Sequence, residues 1–159
     1  MDGIRRAVAT DAARLTEIAH AAKRHWGYPE AWIVSWRDQL TLTGTYLSEQ
    51  HVELVESGGK TAGFFALRKN RDVTELDHLW IDPPFIGKGL GRRLLEHAAG
   101  ICRAEGIGRV EIDADPYAED FYLHMGARRI GKTPAPVDGD PERYLPRLTL
   151  DVGLDDAVR

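Results

Sequence analysis

The sequence is poor in three features, each of which would point to a particular class of protein. It has one cysteine, Cys102, in 159 residues, which excludes an internal disulfide and favours a reducing compartment. No stretch approaches the roughly 20 apolar residues of a membrane-spanning helix, and residues 1–5 lack the apolar core of a signal peptide. The formal net charge is −4, whereas domains that bind nucleic acid usually carry a basic surplus. We therefore expect a soluble, cytoplasmic domain with no membrane and no nucleic-acid partner.

The sequence does contain enough apolar residues for one core. It is 43% hydrophobic and 29% charged, and neither an internal repeat nor a linker divides it. We expect a single domain over residues 1–159, with a frayed tail from about 155 to 159. Periodicity predicts a strand, two helices, three strands, a helix, a strand, a helix and two strands, which is a mixed α/β layer fold. The second helix is predicted from Pro29 to about Leu42.

A glycine-rich segment, Ile86–Arg93, lies between the end of a predicted strand and the start of a strongly amphipathic helix. Helix N-termini expose unpaired N–H groups, and glycines let an anion approach the backbone closely, so this segment is suited to a phosphate-bearing ligand. The spacing does not fit a Walker A loop, and Arg92 stands where the dinucleotide fingerprint needs a third glycine. A glycine turn that binds no ligand is the alternative interpretation.

The run from Leu76 to Ala99 resembles motif A of the GNAT superfamily of acetyl-CoA-dependent N-acetyltransferases. Gly89 and Gly91 match its two small positions, while Ile86 departs from the usual Gln or Arg. The segment 118–127, with Phe-Tyr at its centre, is similar to the family's second hallmark. The segment 25–28, His-Trp-Gly-Tyr, looks like one found in many uncharacterised bacterial members.

The resemblance implies a mixed, mostly antiparallel central sheet with a splayed parallel strand pair and helices on both faces. It implies that the backbone of Leu79, Trp80 and Ile81 pairs with pantetheine, as an added strand would. The pyrophosphate of acetyl-CoA would lie on the glycine segment. The implied cofactor-binding residues are Leu79, Trp80, Ile81, Ile86, Gly87, Lys88, Gly89, Leu90, Gly91, Arg92, Phe121 and Tyr122.

The resemblance also nominates two catalytic residues. Tyr122 matches the family's general-acid tyrosine, which would assist departure of the CoA thiolate. Glu75 has the offset from the glycine loop at which some members carry a glutamate base. A base is needed because a free alkylamine, with a pKa of about 10.4, is mostly protonated at neutral pH. Asp77, His78 or a water chain are alternatives, and both nominated residues also fit structural roles.

The sequence defines the site of the amine acceptor less well than the site of acetyl-CoA. The resemblance implies an acceptor site built from the first helix pair and the loop before the last strand. Aromatic residues cluster in the former and carboxylates in the latter, which would suit a cationic amine. These residues are Trp26, Tyr28, Trp32, Trp36, Asp138, Asp140 and Glu142. The tryptophans equally fit core packing or the contacts of a homodimer.

Two functions remain open from the sequence. The first is acetyl transfer from acetyl-CoA to a primary amine of a small molecule or peptide, and the second is a non-catalytic CoA-binding sensor or interaction module. Cys102 is assigned to packing, because it falls on the apolar stripe of the motif A helix and no motif places an activating partner beside it. We expect no metal, since His20, His25 and His51 lack metal-ligand spacing.

Overall fold

The computed structural model describes residues 3–153, and the predicted frayed tail lies outside them. Within this range the strands are β1 Ile4–Arg6, β2 His51–Ser57, β3 Lys60–Asn70, β4 Val73–Ile81, β5 Arg109–Asp113, β6 Arg128–Pro134 and β7 Tyr144–Asp151. The α-helices are α1 Ala12–His25, α2 Glu30–Ser35, α3 Gly44–Glu49, α4 Leu90–Ala104 and α5 Glu119–His124. All of the strands and most of the helices agree with the periodicity of the sequence.

The described strands form one seven-stranded sheet in the order β1-β2-β3-β4-β5-β7-β6. The pairs β1–β2, β2–β3, β5–β7 and β6–β7 are antiparallel. Strands β4 and β5 are parallel, with Glu75 opposite Glu111, and α4 is the crossover that such a pair requires. This mostly antiparallel sheet with one parallel pair and surrounding helices confirms the predicted fold class.

Local sequence accounts for the hairpin and for the faces of β4. Gly58 and Gly59 join β2 to β3 with φ of +58° and +78°, a turn conformation that glycine adopts without steric cost.

Along β4 the side chains alternate between the two faces of the sheet. Leu76 and His78 are buried, whereas Glu75 and Asp77 are half-buried on the opposite face. The carboxylates of β4 are therefore presented together.

The prediction of one helix from Pro29 to about Leu42 is wrong. Helix α2 ends at Ser35, whose hydroxyl donates to the carbonyl of Trp32 at 2.6 Å, and the chain continues through turns to Leu40. Ser and Thr hydroxyls that bond to nearby backbone groups compete with helix continuation in this way. The missed helix α3 begins after Thr43, whose hydroxyl accepts from the N–H of Tyr46 at 3.1 Å.

The chain divides into two compact units. The first comprises the residues up to Leu67 together with His78–Leu95, and its core includes Phe64, Phe65 and Leu15. The second comprises Arg68–Asp77 and the residues after Leu95, and its core includes Ile112, Leu148 and Cys102. The expectation of a single domain stays a prediction.

Candidate functional site

The glycine segment is an open loop at the start of α4, in the first unit. Gly87 and Gly89 have φ of +89° and +75°, a region that favours glycine. A Cβ added at either position would meet no described atom within 4 Å beyond its chain neighbours. Helix α4 begins at Leu90, which is buried, so the first turn is held firmly while the glycines face open space. The loop can therefore accept a ligand against its backbone.

The loop also carries positive charge. Lys88 lies with its Nζ 5.3 Å from the centroid of the Phe85 ring, and Arg92 and Arg93 are exposed in the first turn of α4. Ile86, the residue that departs from motif A, is 48% exposed. Basic side chains add to the partial positive charge of the helix N-terminus, which favours an anion here.

An ion pair that the sequence analysis missed anchors the chain just before the loop. Asp82 is buried, and its Oδ2 accepts from Nη2 of Arg14 at 2.6 Å. The same guanidinium donates to the carbonyl of Thr61 at 3.0 Å, and the N–H of Asp82 donates to the carbonyl of Ala62 at 2.8 Å. These bonds fix the end of β4 to α1 and β3. No local pattern reveals such a pair, because its members are far apart in the sequence.

The predicted pantetheine strand is packed closely by a glycine on the neighbouring strand. A Cβ added at Gly63 of β3 would lie 2.7 Å from both the Trp80 carbonyl oxygen and Cδ1 of Ile81. A side chain at position 63 would therefore require the backbone of β4 to move. Gly63 thus sets the position of Trp80 and Ile81, a role that the sequence analysis did not identify.

His78, one of the alternative bases, is part of a hydrogen-bonded aromatic cluster. Nε1 of Trp80 donates to Nδ1 of His78 at 2.9 Å, and the rings of Phe64 and Tyr46 lie 5.9 and 5.7 Å away. An indole N–H is a donor only, so Nδ1 carries no proton and the neutral ring has its proton on Nε2. This arrangement orients the Trp80 ring and weighs against His78 as the acceptor of the amine proton.

Glu75 lies in the second unit and is held by two arginines. Its Oε1 accepts from Nη2 of Arg68 at 3.1 Å and its Oε2 from Nη1 of Arg147 at 3.3 Å. Partial burial raises the pKa of Glu75, but the hydrogen bonds and charges of the two arginines outweigh it, so the pKa is lower than usual. A carboxylate stabilised in its charged form is a weak base, which weighs against the predicted role of Glu75.

Arg147 of β7 connects three carboxylates on two other strands, β4 and β5. Its Nη2 donates to Glu111 at 2.7 Å, and its Nη1 donates to Asp113 at 3.0 Å as well as to Glu75. Burial lowers the pKa of Arg147, but the hydrogen bonds that it donates to the carboxylates, together with their negative charge, raise the pKa by more, so the guanidinium remains charged. Like charges directly opposite one another, as Glu75 and Glu111 are, need a cation between them. Two glutamates on neighbouring strands therefore indicate a basic side chain nearby, and this is the signal that could have led from the sequence to Arg147.

We expect Glu75→Gln to destabilise the fold by about 1–3 kcal/mol at pH 7, because one arginine would then face an amide N–H₂ in place of a carboxylate oxygen. The folded pKa of Glu75 is lowered, so its contribution is present above the unfolded pKa and is lost as pH falls through the folded value. Denaturant unfolding at pH 7 and pH 3 measures the difference, which should shrink at the lower pH.

Glu111→Gln is the matched control, because Glu111 lies opposite Glu75 and shares Arg147. If Glu75 is structural, both variants keep the pH dependence of the parent's turnover. If Glu75 is the base, Glu75→Gln alone loses rate at neutral pH and recovers as pH rises and the amine deprotonates unaided.

Tyr122 lies in α5 of the second unit and is 6% exposed. Its ring meets that of Phe121 edge to face, with centroids 5.2 Å apart. Burial, assisted by the charge of Asp115, raises the pKa of Tyr122 well above its usual value. The hydroxyl therefore keeps its proton throughout the physiological range and can act as a hydrogen-bond donor.

The aromatic residues after α1 form a cluster around a lysine. The rings of Tyr28, Trp32 and Trp36 lie 5.1–6.0 Å apart, and Trp26 packs on His25 at 5.5 Å. Nζ of Lys23 lies 4.3 Å from the centroid of Trp36 and 4.9 Å from that of Tyr28. The cation inside this cluster thus belongs to the protein. Helical periodicity could not single out Lys23, since a lysine near a helix C-terminus is normally solvated.

Cys102, the search for a metal site and the search for a membrane-spanning helix complete the comparison with the sequence. Cys102 is fully buried, and burial raises the pKa of its thiol, in agreement with a packing role. Among residues 3–153 there is no group of three or more His, Cys, Asp or Glu side chains arranged to bind a metal ion. No helix in the described part of the chain has both the length and the apolar character needed to cross a membrane.

A family profile described as the acetyltransferase (GNAT) domain matches residues 27–139, which is more than half of the chain. The chain belongs to the GNAT acetyltransferase family. The matched range includes the glycine loop and the segment 118–127, so both hallmark motifs lie inside it, whereas the segment 25–28 lies partly before its start. A comparison with functionally curated proteins gives no match.

Solved structures share the fold of this GNAT domain at low sequence identity. PaiA N-acetyltransferase from Thermoplasma acidophilum, solved in complex with coenzyme A, is 20% identical with a TM-score of 0.73, covering 95% of this chain and 99% of its own. The ribosomal-protein-S18-alanine N-acetyltransferase from Escherichia coli is 19% identical with a TM-score of 0.72, covering 98% and 96%. YncA from Salmonella typhimurium, solved with its cofactor acetyl-CoA, is 22% identical with a TM-score of 0.69, covering 98% and 96%.

Proposed function

We propose that this GNAT domain transfers the acetyl group of acetyl-CoA to a primary amine of a small molecule or peptide. The observation that carries the proposal is the loop at Gly87 and Gly89, which is open to a ligand and leads directly into the first turn of α4. Membership of the family supports the acyl chemistry, and the CoA-bound relatives support acetyl-CoA as the donor.

The chain's own groups supply two parts of the donor site. The backbone N–H groups of the loop and the first turn of α4 would donate to the pyrophosphate, with charge from Lys88 and Arg92. The backbone of Leu79–Ile81 would pair with the pantetheine arm, and Gly63 lets this strand lie close to β3. We keep Phe121 in the donor site as the packing partner of the Tyr122 ring.

In the reaction, the amine nitrogen forms a bond to the acetyl carbon, the carbon–sulfur bond breaks, and the sulfur leaves as a thiol after gaining a proton. The Tyr122 hydroxyl would donate that proton and take up the proton that the amine loses, so that it ends the step protonated, the form that burial favours. The proton of the amine needs a first acceptor on its way to that hydroxyl. Glu75 is held by Arg68 and Arg147, and His78 accepts from Trp80, so we favour a water chain. Asp77 is the alternative, because its ion pair with Arg68, at 3.6 Å, is longer than the hydrogen bonds to Glu75.

The engagement of Glu75 and His78 also favours the second candidate, a non-catalytic CoA-binding module. A panel of amines assayed with acetyl-CoA, with detection of the free thiol of released CoA, separates the two functions. Amine-dependent thiol release supports the enzyme. CoA binding without release for any amine supports the module.

We expect Gly89→Glu to abolish the thermal stabilisation that CoA gives the parent protein. A glutamate would add a negative charge where the pyrophosphate should lie, and its side chain would occupy the open space of the loop. Differential scanning fluorimetry with and without CoA measures this effect.

Gly106→Glu is the matched control. Gly106 follows α4, has the same φ of +75°, and is equally open to an added Cβ. Both variants should lower the melting temperature by a similar amount, because the backbone strain is the same. An undiminished CoA shift in Gly89→Glu would show that the loop does not hold the pyrophosphate.

A further inference from the structure

The C-terminal turn of α1 carries a buried cation that the proposed acetyl transfer does not use. Lys23 is 8% exposed, and its Nζ lies over the rings of Trp36, Tyr28 and Trp80, with distances to the centroids of 4.3, 4.9 and 5.9 Å. Aromatic faces attract an ammonium, and the attraction is larger when the ammonium is removed from water. The helix C-terminus also favours a cation. Both features favour a cation at the position of Nζ.

The aromatic side chains around Lys23 differ in burial. Trp36 is buried, whereas Tyr28, Trp32 and Trp80 are half-buried, so the rim of the cluster reaches the surface. The Trp80 ring is oriented by its hydrogen bond to His78. Trp80 is also a residue whose backbone we propose for pantetheine, so the ammonium of Lys23 lies beside the proposed acyl-donor strand. An acceptor that approaches the thioester here would come under the influence of this charge.

The titratable groups beside Lys23 on α1, His20 and Arg24, add no net positive charge to its surroundings. His20 lies one turn earlier on α1, and burial together with the charges of Arg24 and Arg37 lowers its pKa, against a smaller opposing effect of Glu30. Arg24 is paired with Glu30 at 2.9 Å. A second cation would be repelled by the ammonium of Lys23, whereas an anion would be attracted. The expectation of an aromatic site for a cationic group is therefore reversed, because Lys23 occupies the position of that cation.

On the basis of the acetyl transfer proposed above, we propose that Lys23 determines acceptor specificity and that the acceptor is a small amine bearing a carboxylate, such as an amino acid. The carboxylate would accept a charge-assisted hydrogen bond from Nζ of Lys23. The apolar part of the acceptor would pack on the half-buried rings of Trp32 and Tyr28. The amine would then be directed toward the donor strand at Trp80.

The test compares amino acids with their carboxamides and with the corresponding decarboxylated amines, in the wild type and in Lys23→Met and Lys23→Arg. Methionine keeps the length and apolar stem of lysine but has no charge, and arginine keeps the charge. We expect kcat/KM of the wild type to favour the carboxylate at least 10-fold. Lys23→Met should reduce this preference to within about twofold, and Lys23→Arg should retain most of it. For each acceptor, kcat/KM of the variant is divided by kcat/KM of the wild type, so that differences in amine pKa between acceptors cancel.

A second measurement does not depend on turnover. With CoA present, titration with the same acids and amides is followed by intrinsic tryptophan fluorescence, since Trp32, Trp36 and Trp80 surround the site. The wild type should respond to the acids and not to the amides, and Lys23→Met should not respond. Lys23→Gln replaces Lys23→Met if the latter does not fold, as judged by its melting temperature.

The outcomes separate this inference from the proposed function. If the wild type acetylates amides or simple amines as well as acids, the role of Lys23 is wrong and acetyl transfer stands. If no amine is acetylated, acetyl transfer is wrong, and the fluorescence titration still decides on Lys23. A response to carboxylates that depends on Lys23 supports the anion site, and its absence overturns it.

Discussion

Tyr122→Phe is expected to lower kcat by about 100-fold or more, while the affinity for CoA remains close to that of the parent. General acid catalysis typically contributes about 10²–10⁴-fold. The substitution keeps the ring, and therefore its packing with Phe121, and removes only the hydroxyl. Because the pKa of Tyr122 is raised, loss of its proton should not limit the rate of the parent below about pH 10. Steady-state kinetics on the best amine of the panel measure the effect.

Tyr117→Phe is the control for this experiment. Tyr117 lies in the turn before α5 and is 58% exposed, so loss of its hydroxyl should leave kcat unchanged. A Tyr122→Phe variant that loses less than about threefold in kcat would identify a structural tyrosine. A variant that loses CoA binding along with kcat would indicate that the hydroxyl contributes to the donor site.

The sequence predicted the elements whose determinants are local. Alternation from Val73 to Asp82, the glycine pair 58–59 and the apolar stripe of the motif A helix each specify their own conformation. The exception was the segment after Pro29. There, two side-chain hydrogen bonds overrode a continuous apolar pattern: the Ser35 hydroxyl donates at the end of α2, and the Thr43 hydroxyl accepts at the start of α3.

The site was less predictable, because its chemistry depends on pairs that are distant in sequence. Glu75 was nominated from its offset to the loop, but its basicity is set by Arg68 and Arg147 on other strands. The aromatic cluster was identified by composition, whereas its charge is set by Lys23 on the preceding helix. A residue type indicates what a group could do, and the neighbours brought by the fold determine its charge and pKa.

Gly63→Ala is expected to weaken both the fold and the binding of CoA, because no alanine Cβ fits at that position. The Cβ would lie 2.7 Å from the Trp80 carbonyl oxygen, a backbone atom, and 2.7 Å from Cδ1 of Ile81. Overpacking of this kind typically costs about 1–3 kcal/mol, which corresponds to roughly 3–10 °C in melting temperature for a chain of this size. Displacement of Trp80 and Ile81 would also disturb the proposed pantetheine strand, so the CoA-induced thermal shift should fall.

Two further variants serve as a control for the added methyl group and separate the contact with the Trp80 carbonyl from the contact with the Ile81 side chain. Gly131→Ala, in β6, places its Cβ where no described atom lies within 4 Å, and no positive φ opposes it, so this variant should be as stable as the parent or slightly more so. Adding Ile81→Val to Gly63→Ala shortens the side chain and relieves one contact but leaves the Trp80 carbonyl in place. The double variant should therefore recover only part of the stability and of the CoA shift. Full recovery would show that Gly63 accommodates the Ile81 side chain alone, and an unchanged CoA shift in Gly63→Ala would remove Trp80 and Ile81 from the donor site.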